Sequence, residues 1–340
     1  MKRFVVDIGK FFTILFIPFS LLMAMYLYFD PFMVIHEYDT YYKPEASAMI
    51  ALNRGHVSMK VLKKNSQDIS YNSFILGNSR SIFFQVKDWK KHLDENAECY
   101  HLDGTNESLL ALTKRLIYLE EQGYDLTNLL LVLDFSVLSR IEFPTTHLEV
   151  ISPSILGQSG IFNFQKSFFR AYATPKFLYS FLDFKTSGKV KKYMLEEYIF
   201  DNVRLNYEWR SNEIRFDYYE DLIEQGIYSE EGRLPRFYTR DSVERYSVQS
   251  IGEGQKALLE RIGTIVKNHC SNFKLVISPL YDQQRLDRGD FTYLRKVFGS
   301  ENVYDFSGKN ELTEDTLNYY ESSHYRPHVA REIMDSIYAR

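Results

Sequence analysis

Three side chains at two places in this chain could together carry out acyl-transfer chemistry. Ser79 stands in Gly77-Asn78-Ser79-Arg80-Ser81, and Glu321 and His324 stand in Glu321-Ser322-Ser323-His324-Tyr325-Arg326-Pro327. A serine hydroxyl becomes a nucleophile when a base takes its proton and a carboxylate holds that base in the right tautomer. Glu321 and His324 are three positions apart, a spacing at which a tight turn or a helix start lets the carboxylate reach the imidazole. Each half also has a plain structural reading. Strand-Gly-x-Ser arises wherever a turn into a helix needs a cap, and Glu321 and His324 could be loop polars while Ser322 or Ser323 caps the next helix.

The elements around these residues set where they would lie. Phe74-Ile75-Leu76 before Gly77 is a short apolar run, read as a first strand. Residues 98–103 give a second strand ending in Gly104-Thr105-Asn106, followed by a helix over 108–121 with Leu109, Leu112, Leu116 and Leu119 on its apolar side. Residues 128–135 are apolar without a break from Leu129 to Leu133, as in a parallel strand covered on both faces. Helices are expected over 248–269, 291–298 and 327–338, with further strands at 273–279 and 302–306. Five strands alternating with helices imply an α/β fold with a doubly wound parallel sheet. Ser79 and the Glu321–His324 stretch then share its carboxyl edge, where open α/β sheets build ligand sites. The alternation breaks between about 139 and 245, read as a mostly helical insertion that either caps this edge or simply packs on it.

Composition narrows the function. With 340 residues, 45% hydrophobic and 25% charged, the chain can bury a large core; its net charge of −4 and lack of a basic tract exclude nucleic acid. The 26 Tyr and 26 Phe suit sugar- or lipid-contacting surfaces and equally suit plain cores. Cys99 and Cys270 form no C-x-x-C and no histidine pair has metal-ligand spacing, so neither metal nor cofactor is expected and both cysteines are read as small buried hydrophobes. Residues 11–29 form an apolar run long enough to cross a bilayer, with Tyr26, Tyr28 and Phe29 as an interfacial belt. Lys2, Arg3 and Lys10 precede it and Asp30, Glu37 and Asp39 follow, which predicts an uncleaved anchor with its N-terminus in the cytoplasm. The expected organisation is an anchor over 1–30, a stalk packing on the domain over 31–71, and an α/β domain over 72–340.

The Gly-Asn-Ser-Arg-Ser and Glu-Ser-Ser-His blocks, in this order and spacing, resemble the first and last blocks of the SGNH (GDSL-type) hydrolase superfamily. With the apolar N-terminus and the His-Tyr-Arg-Pro ending, the chain is similar to the membrane-anchored SGNH-like proteins of bacterial envelope-polymer acylation, such as the teichoic-acid D-alanylation and alginate O-acetylation accessory proteins. The resemblance covers about residues 72–340 without the insertion. It implies a flavodoxin-like sheet, Ser79 as nucleophile and first oxyanion donor, Gly104 as second donor, His324 as base and Glu321 as its carboxylate. It further implies a single-pass protein of the bacterial inner membrane that moves or removes an acyl group, acetyl above all, on an extracytoplasmic envelope glycan, beside a membrane-bound O-acyltransferase. The pattern departs at three points. Asn78 replaces Asp, Glu321 replaces Asp, and the block with a donor Asn is missing; that strand ends in Leu133-Asp134-Phe135, where a carboxylate is expected to repel an oxyanion. Asn106 is the candidate replacement amide. The alternative is a degenerate scaffold or glycan-binding subunit, and a third reading, an esterase for small substrates, requires an open apolar pocket.

Overall fold

The computed structural model describes residues 2–42, 49–201, 204–228 and 237–339, without the side chains of residues 2–9, 11–13, 15 and 196–198. The five apolar stretches form one parallel sheet of β1 (Ser73–Gly77), β2 (Cys99–Asp103), β3 (Asn128–Leu133), β4 (Asn272–Ile277) and β5 (Val303–Asp305), in the order 2-1-3-4-5. In this doubly wound order the direction of winding reverses between β1 and β3, and the crevice at their carboxyl ends is the place for a ligand. Successive side chains alternate between the faces. Phe74, Leu76, Leu129, Leu131, Leu133, Leu275 and Ile277 meet one set of helices, whereas Ile75, Leu130, Val132 and Val276 meet another.

Helices cover both faces. On the first lie α2 (Arg54–Asn65), α3 (Leu109–Glu121), α6 (Glu253–His269) and α7 (Arg288–Phe298), through residues such as Met59, Leu62, Leu112, Leu116, Leu259, Ile262 and Leu294. On the second lies α8 (Pro327–Tyr338), whose Val329, Ile333, Met334 and Ile337 pack with Phe83, Phe84 and Trp89. α3 starts where the pattern puts it, because Ser108 Oγ accepts the Ala111 N–H at 3.1 Å. α6 starts five residues later than the expected 248. The buried Asp290 carboxylate takes the N–H groups of Ser250 (2.7 Å) and Ile251 (3.1 Å) and the Ser250 hydroxyl (2.8 Å), which holds that stretch extended.

The N-terminal helix α1 runs Lys2–Phe29 through Pro18. The expected span at 11–29 lies within it; among the described residues no helix is long and apolar enough to cross a membrane. The chain turns at Asp30 (φ +36°), whose carboxylate accepts the N–H groups of Val34, Ile35 and His36 and the Tyr38 hydroxyl at 2.8–2.9 Å. Of the expected stalk, residues 43–48 lie outside the described ones, and α2 supplies buried Val57, Met59 and Leu62 to the main core.

The region read as one insertion divides in two. Its first part is a helical hairpin, α4 (Gln158–Tyr172) and α5 (Pro175–Ser187), which builds an aromatic core with Tyr26 and Phe32. Its second part is not helical throughout: an antiparallel ribbon, Asn206–Glu208 with Glu213–Arg215, precedes a helix over Asp217–Glu224. This part follows the β2 edge, where Ser211 O accepts the His101 N–H at 2.9 Å. Cys99 is buried, Cys270 half-buried, and both are free; burial pushes each thiol up to about 12.

Candidate active site

Ser79 is set in place by the end of β1. A Cβ on Gly77 would stand 2.6 Å from the Val132 carbonyl oxygen and 2.7 Å from Ser81 Cβ, so glycine alone lets the chain turn this tightly between β3 and the following turn. That turn is a 3-10 helix, Ser79–Phe83, capped by Asn78, whose Oδ1 accepts the Arg80 N–H at 3.0 Å. The Ser81 hydroxyl donates to Asn78 O at 2.8 Å and lies 3.0 Å from Nε2 of the buried His101. Burial brings His101 down to about 4, with Asp103 opposing and Arg54 adding to that shift, so its ring is neutral at neutral pH.

His324 and Glu321 come from an antiparallel hairpin, Tyr319–Glu321 with His324–Tyr325, in which Glu321 faces His324 directly. Their pairing is therefore across strands and not within a helix start, and Ser322 and Ser323 form the turn. Cross-strand partners lie close enough for side chains to meet. Glu321 Oε1 is hydrogen-bonded to His324 Nδ1, and Oε2 accepts the Ser323 N–H at 2.7 Å. Burial raises the Glu321 carboxyl, but its bonds to His324 and Ser323 outweigh that and hold it below the usual carboxylate range. Nδ1 thus carries the proton, which leaves the Nε2 lone pair facing Ser79 Oγ at 2.9 Å. Buried Tyr325 anchors the hairpin, its hydroxyl 3.5 Å from Ser278 Oγ just beyond β4, and Phe83 packs on both Tyr325 and the His324 ring.

Arg80 joins the two halves. Its Nε donates to Ser323 O at 3.0 Å and its Nη1 to Asp134 Oδ2 at 2.6 Å. The same Asp134 oxygen accepts Asn78 Nδ2 at 2.7 Å, while Oδ1 accepts the Val137 N–H (3.0 Å) and the Ser136 hydroxyl (2.5 Å). Burial pushes the Asp134 carboxyl up, yet Arg80 and these hydrogen bonds pull it below its ordinary value. The expected repulsion of an oxyanion by Asp134 is thereby corrected: its charge is compensated, and it positions Asn78 and Arg80. The pattern of residues gave Arg80 and Asp134 no such role. The available signal was an aspartate at the end of a fully buried strand, which requires a cation close by.

The two expected oxyanion donors are not directed at Ser79. The Gly104 N–H donates to Gly77 O at 3.2 Å, continuing the β1–β2 ladder by one bond. Asn106 Nδ2 donates to Glu149 Oε1 at 3.0 Å from a backbone with φ +47°. The Ser79 N–H, first in its 3-10 turn, has no partner within that turn.

A polar cleft of about 400 Å³ lies beside the hairpin, lined by residues including Lys87, Asp217, Glu220, Arg326, His328 and Arg331. It approaches His324 no closer in sequence than Arg326, which Glu220 grips through both carboxylate oxygens at 3.1 and 2.7 Å, and Ser79 is not in its lining. Among the described residues no group of three or more His, Cys, Asp or Glu is placed to hold a metal ion. No protein-family model matches the chain, and no curated protein matches it.

Proposed function

We propose that the chain is an SGNH-like serine acyltransferase or esterase that works through an acyl-enzyme on Ser79, with an acetyl ester of a cell-envelope glycan as its substrate class. The observation that carries this is the unbroken relay from Ser79 Oγ through His324 to Glu321. Ser79 Oγ attacks the ester carbonyl as its proton moves to His324 Nε2, and Glu321 steadies the imidazolium through Nδ1. His324 then returns the proton to the departing alkoxide. In the second half the ring takes a proton from a sugar hydroxyl or from water as that oxygen attacks the acyl-enzyme carbonyl, and gives it to Ser79 Oγ as the serine ester bond breaks, which completes transfer or hydrolysis.

The reading includes an anchor: α1 inserted in the bacterial inner membrane, its basic N-terminus in the cytoplasm and the α/β domain outside, next to a membrane-bound O-acyltransferase that supplies the acyl group. The exposed apolar residues Ile14, Phe16, Ile17 and Leu21 favour that placement. A second reading, a scaffold or glycan-binding subunit with a decayed site, is favoured by the engagement of Gly104 and Asn106 elsewhere. Loss of one oxyanion donor costs on the order of a hundred- to a thousandfold in rate. The test is turnover of an acetyl ester by the full-length protein in detergent, with and without an oligosaccharide acceptor. Acetate release or transfer that disappears in His324→Ala supports the enzyme; equal background from both proteins, each shown to be folded, supports the scaffold.

A further inference from the structure

We propose that the α4–α5 hairpin is a membrane-surface element that lies in the headgroup layer of an anionic bilayer, beside the point where α1 joins the domain. This goes beyond the acyl-transfer reading and does not depend on Ser79.

Charge is the first observation. Between residues 158 and 193 the chain carries Lys166, Arg170, Lys176, Lys185, Lys189, Lys191 and Lys192 against the single acid Asp183, in a protein whose net charge is −4. All of these bases except the half-buried Lys176 are exposed, and Asp183 is already held by Lys191 at 2.7 Å. Exposed apolar groups at the same place are the second observation. Phe164, Phe168 and Tyr172 of α4 and Phe177 and Phe181 of α5 fill the aromatic core, yet Ile161 and Phe162 at the start of α4 and Tyr179 and Leu182 on α5 face outward, Phe162 at 74% and Tyr179 at 65% exposure. Aromatic side chains interleaved with lysines are the composition of helices that lie in a lipid headgroup layer.

Position is the third. Tyr26 of α1 donates from its hydroxyl to Gln165 Oε1 at 2.9 Å, the Phe169 ring meets Phe19 edge-on at 5.7 Å, and Lys185 Nζ lies 5.3 Å from the Phe29 ring centre. The hairpin therefore accompanies α1 over the eleven residues from Phe29 back to Phe19, roughly 15 Å of helix axis. Over that length α1 shows Leu21, Leu27 and Tyr28 to the outside. The part of α1 that enters the bilayer is then the part before Phe19, and a hairpin alongside its last eleven residues, with helices of 15 and 13 residues that are too short to span a bilayer, is placed to rest on the surface. The bilayer is favoured over a second copy of the chain because seven bases against one acid would meet the same excess on a twin surface. Each basic residue near an anionic surface strengthens binding by about fivefold.

The test uses the full-length chain with Cys270→Ser, reconstituted in vesicles of phosphatidylcholine alone or with phosphatidylglycerol added. Nitroxide labels are placed one at a time at Phe162→Cys, Tyr179→Cys, Leu21→Cys on α1 and Leu317→Cys as an exposed site elsewhere. With phosphatidylglycerol, the labels at 162 and 179 are expected to be reached more readily by oxygen than by a water-soluble nickel chelate, and the label at 317 the reverse. Lys166→Glu, Arg170→Glu and Lys189→Glu together are expected to cut that preference to the value in phosphatidylcholine alone. Labels at 162 and 179 that stay as water-accessible as the label at 317 overturn the proposal. So do labels shielded from both reagents, which indicate a protein on this face. The label at Leu21 reports the anchor separately: lipid contact there with water contact at 162 and 179 removes the hairpin proposal and leaves the anchor standing.

Discussion

The sheet and the helical hairpin bury their apolar residues in different ways, and the contrast separates the region that positions Ser79 from the one that packs on α1. The core on the first face of the sheet is aliphatic: seven of its thirty-seven buried members are Tyr or Phe. Branched aliphatics on alternating strand positions fix register, because a slip of one residue turns every side chain to the other face. Register in turn fixes where Gly77 and Leu133 end their strands, and so where Ser79 and Asp134 stand. In the core between α1 and the hairpin, eight of twelve buried members are Tyr or Phe. Aromatic rings there meet at varied angles, from stacked Phe177 and Phe181 to edge-on Tyr26 and Phe169. None of the members of this core belongs to the Ser79–His324–Glu321 relay.

The contrast can be broken at its most charged point. Asp134→Ala leaves the Arg80 guanidinium unpaired in a mostly buried place, and a loss of about 3–5 kcal/mol is expected in urea unfolding. If Asp134 serves only as a helix cap, the loss falls to about 1 kcal/mol. A comparable blow to the other region should leave the site alone. Phe168→Ala is expected to remove about 3–5 kcal/mol from the aromatic core, seen as faster amide exchange in α4 and α5, without altering the reactivity of Ser79. A parallel fall in that reactivity would show that the two regions act as one.

Acid sharpens the comparison, because the sheet holds a neutral histidine that the unfolded chain protonates. His101 is brought to about 4 in the folded protein, against about 6.5 when unfolded. The unfolded state binds the extra proton first, so stability is unaffected above about 6.5 and declines as pH falls towards about 4, by on the order of 3 kcal/mol. Thermal unfolding across that window should show the decline in the wild type and a shallower one in His101→Gln. His56 and His147 remain as similar groups: burial lowers them to about 3 and about 4, and they lie against Phe164 and Phe168 where the two regions meet. An unchanged slope in His101→Gln would assign the acid response to that junction instead.

Much of the sheet was legible because unbroken apolar runs such as Leu129 to Leu133 have few other places to go. Ser79, Glu321 and His324 were legible because each sits at a strand end or turn that the alternation locates. The hairpin form of 319–325 was not, since two short strands separated by two serines carry no period of their own. The bond made by the Gly104 N–H was hidden for a different reason: only the pairing of Gly77 with Asp103 reveals that this next N–H continues the ladder. Arg80 and Asp134 are 54 residues apart, and nothing local in either stretch names its partner. In the insertion, Phe164, Phe168 and Tyr172 do recur at helical spacing, but the lysines and surplus aromatics between them blur the periodicity.

The most direct measurement of the central claim is covalent labelling of the full-length protein by a fluorophosphonate, which reports an activated serine without requiring the natural substrate. The relay predicts stoichiometric labelling of Ser79 in the wild type, none in Ser79→Ala, and loss on the order of a thousandfold or more in rate for His324→Ala. Labelling that persists in Ser79→Ala, or a folded wild type that does not react at all, would contradict it.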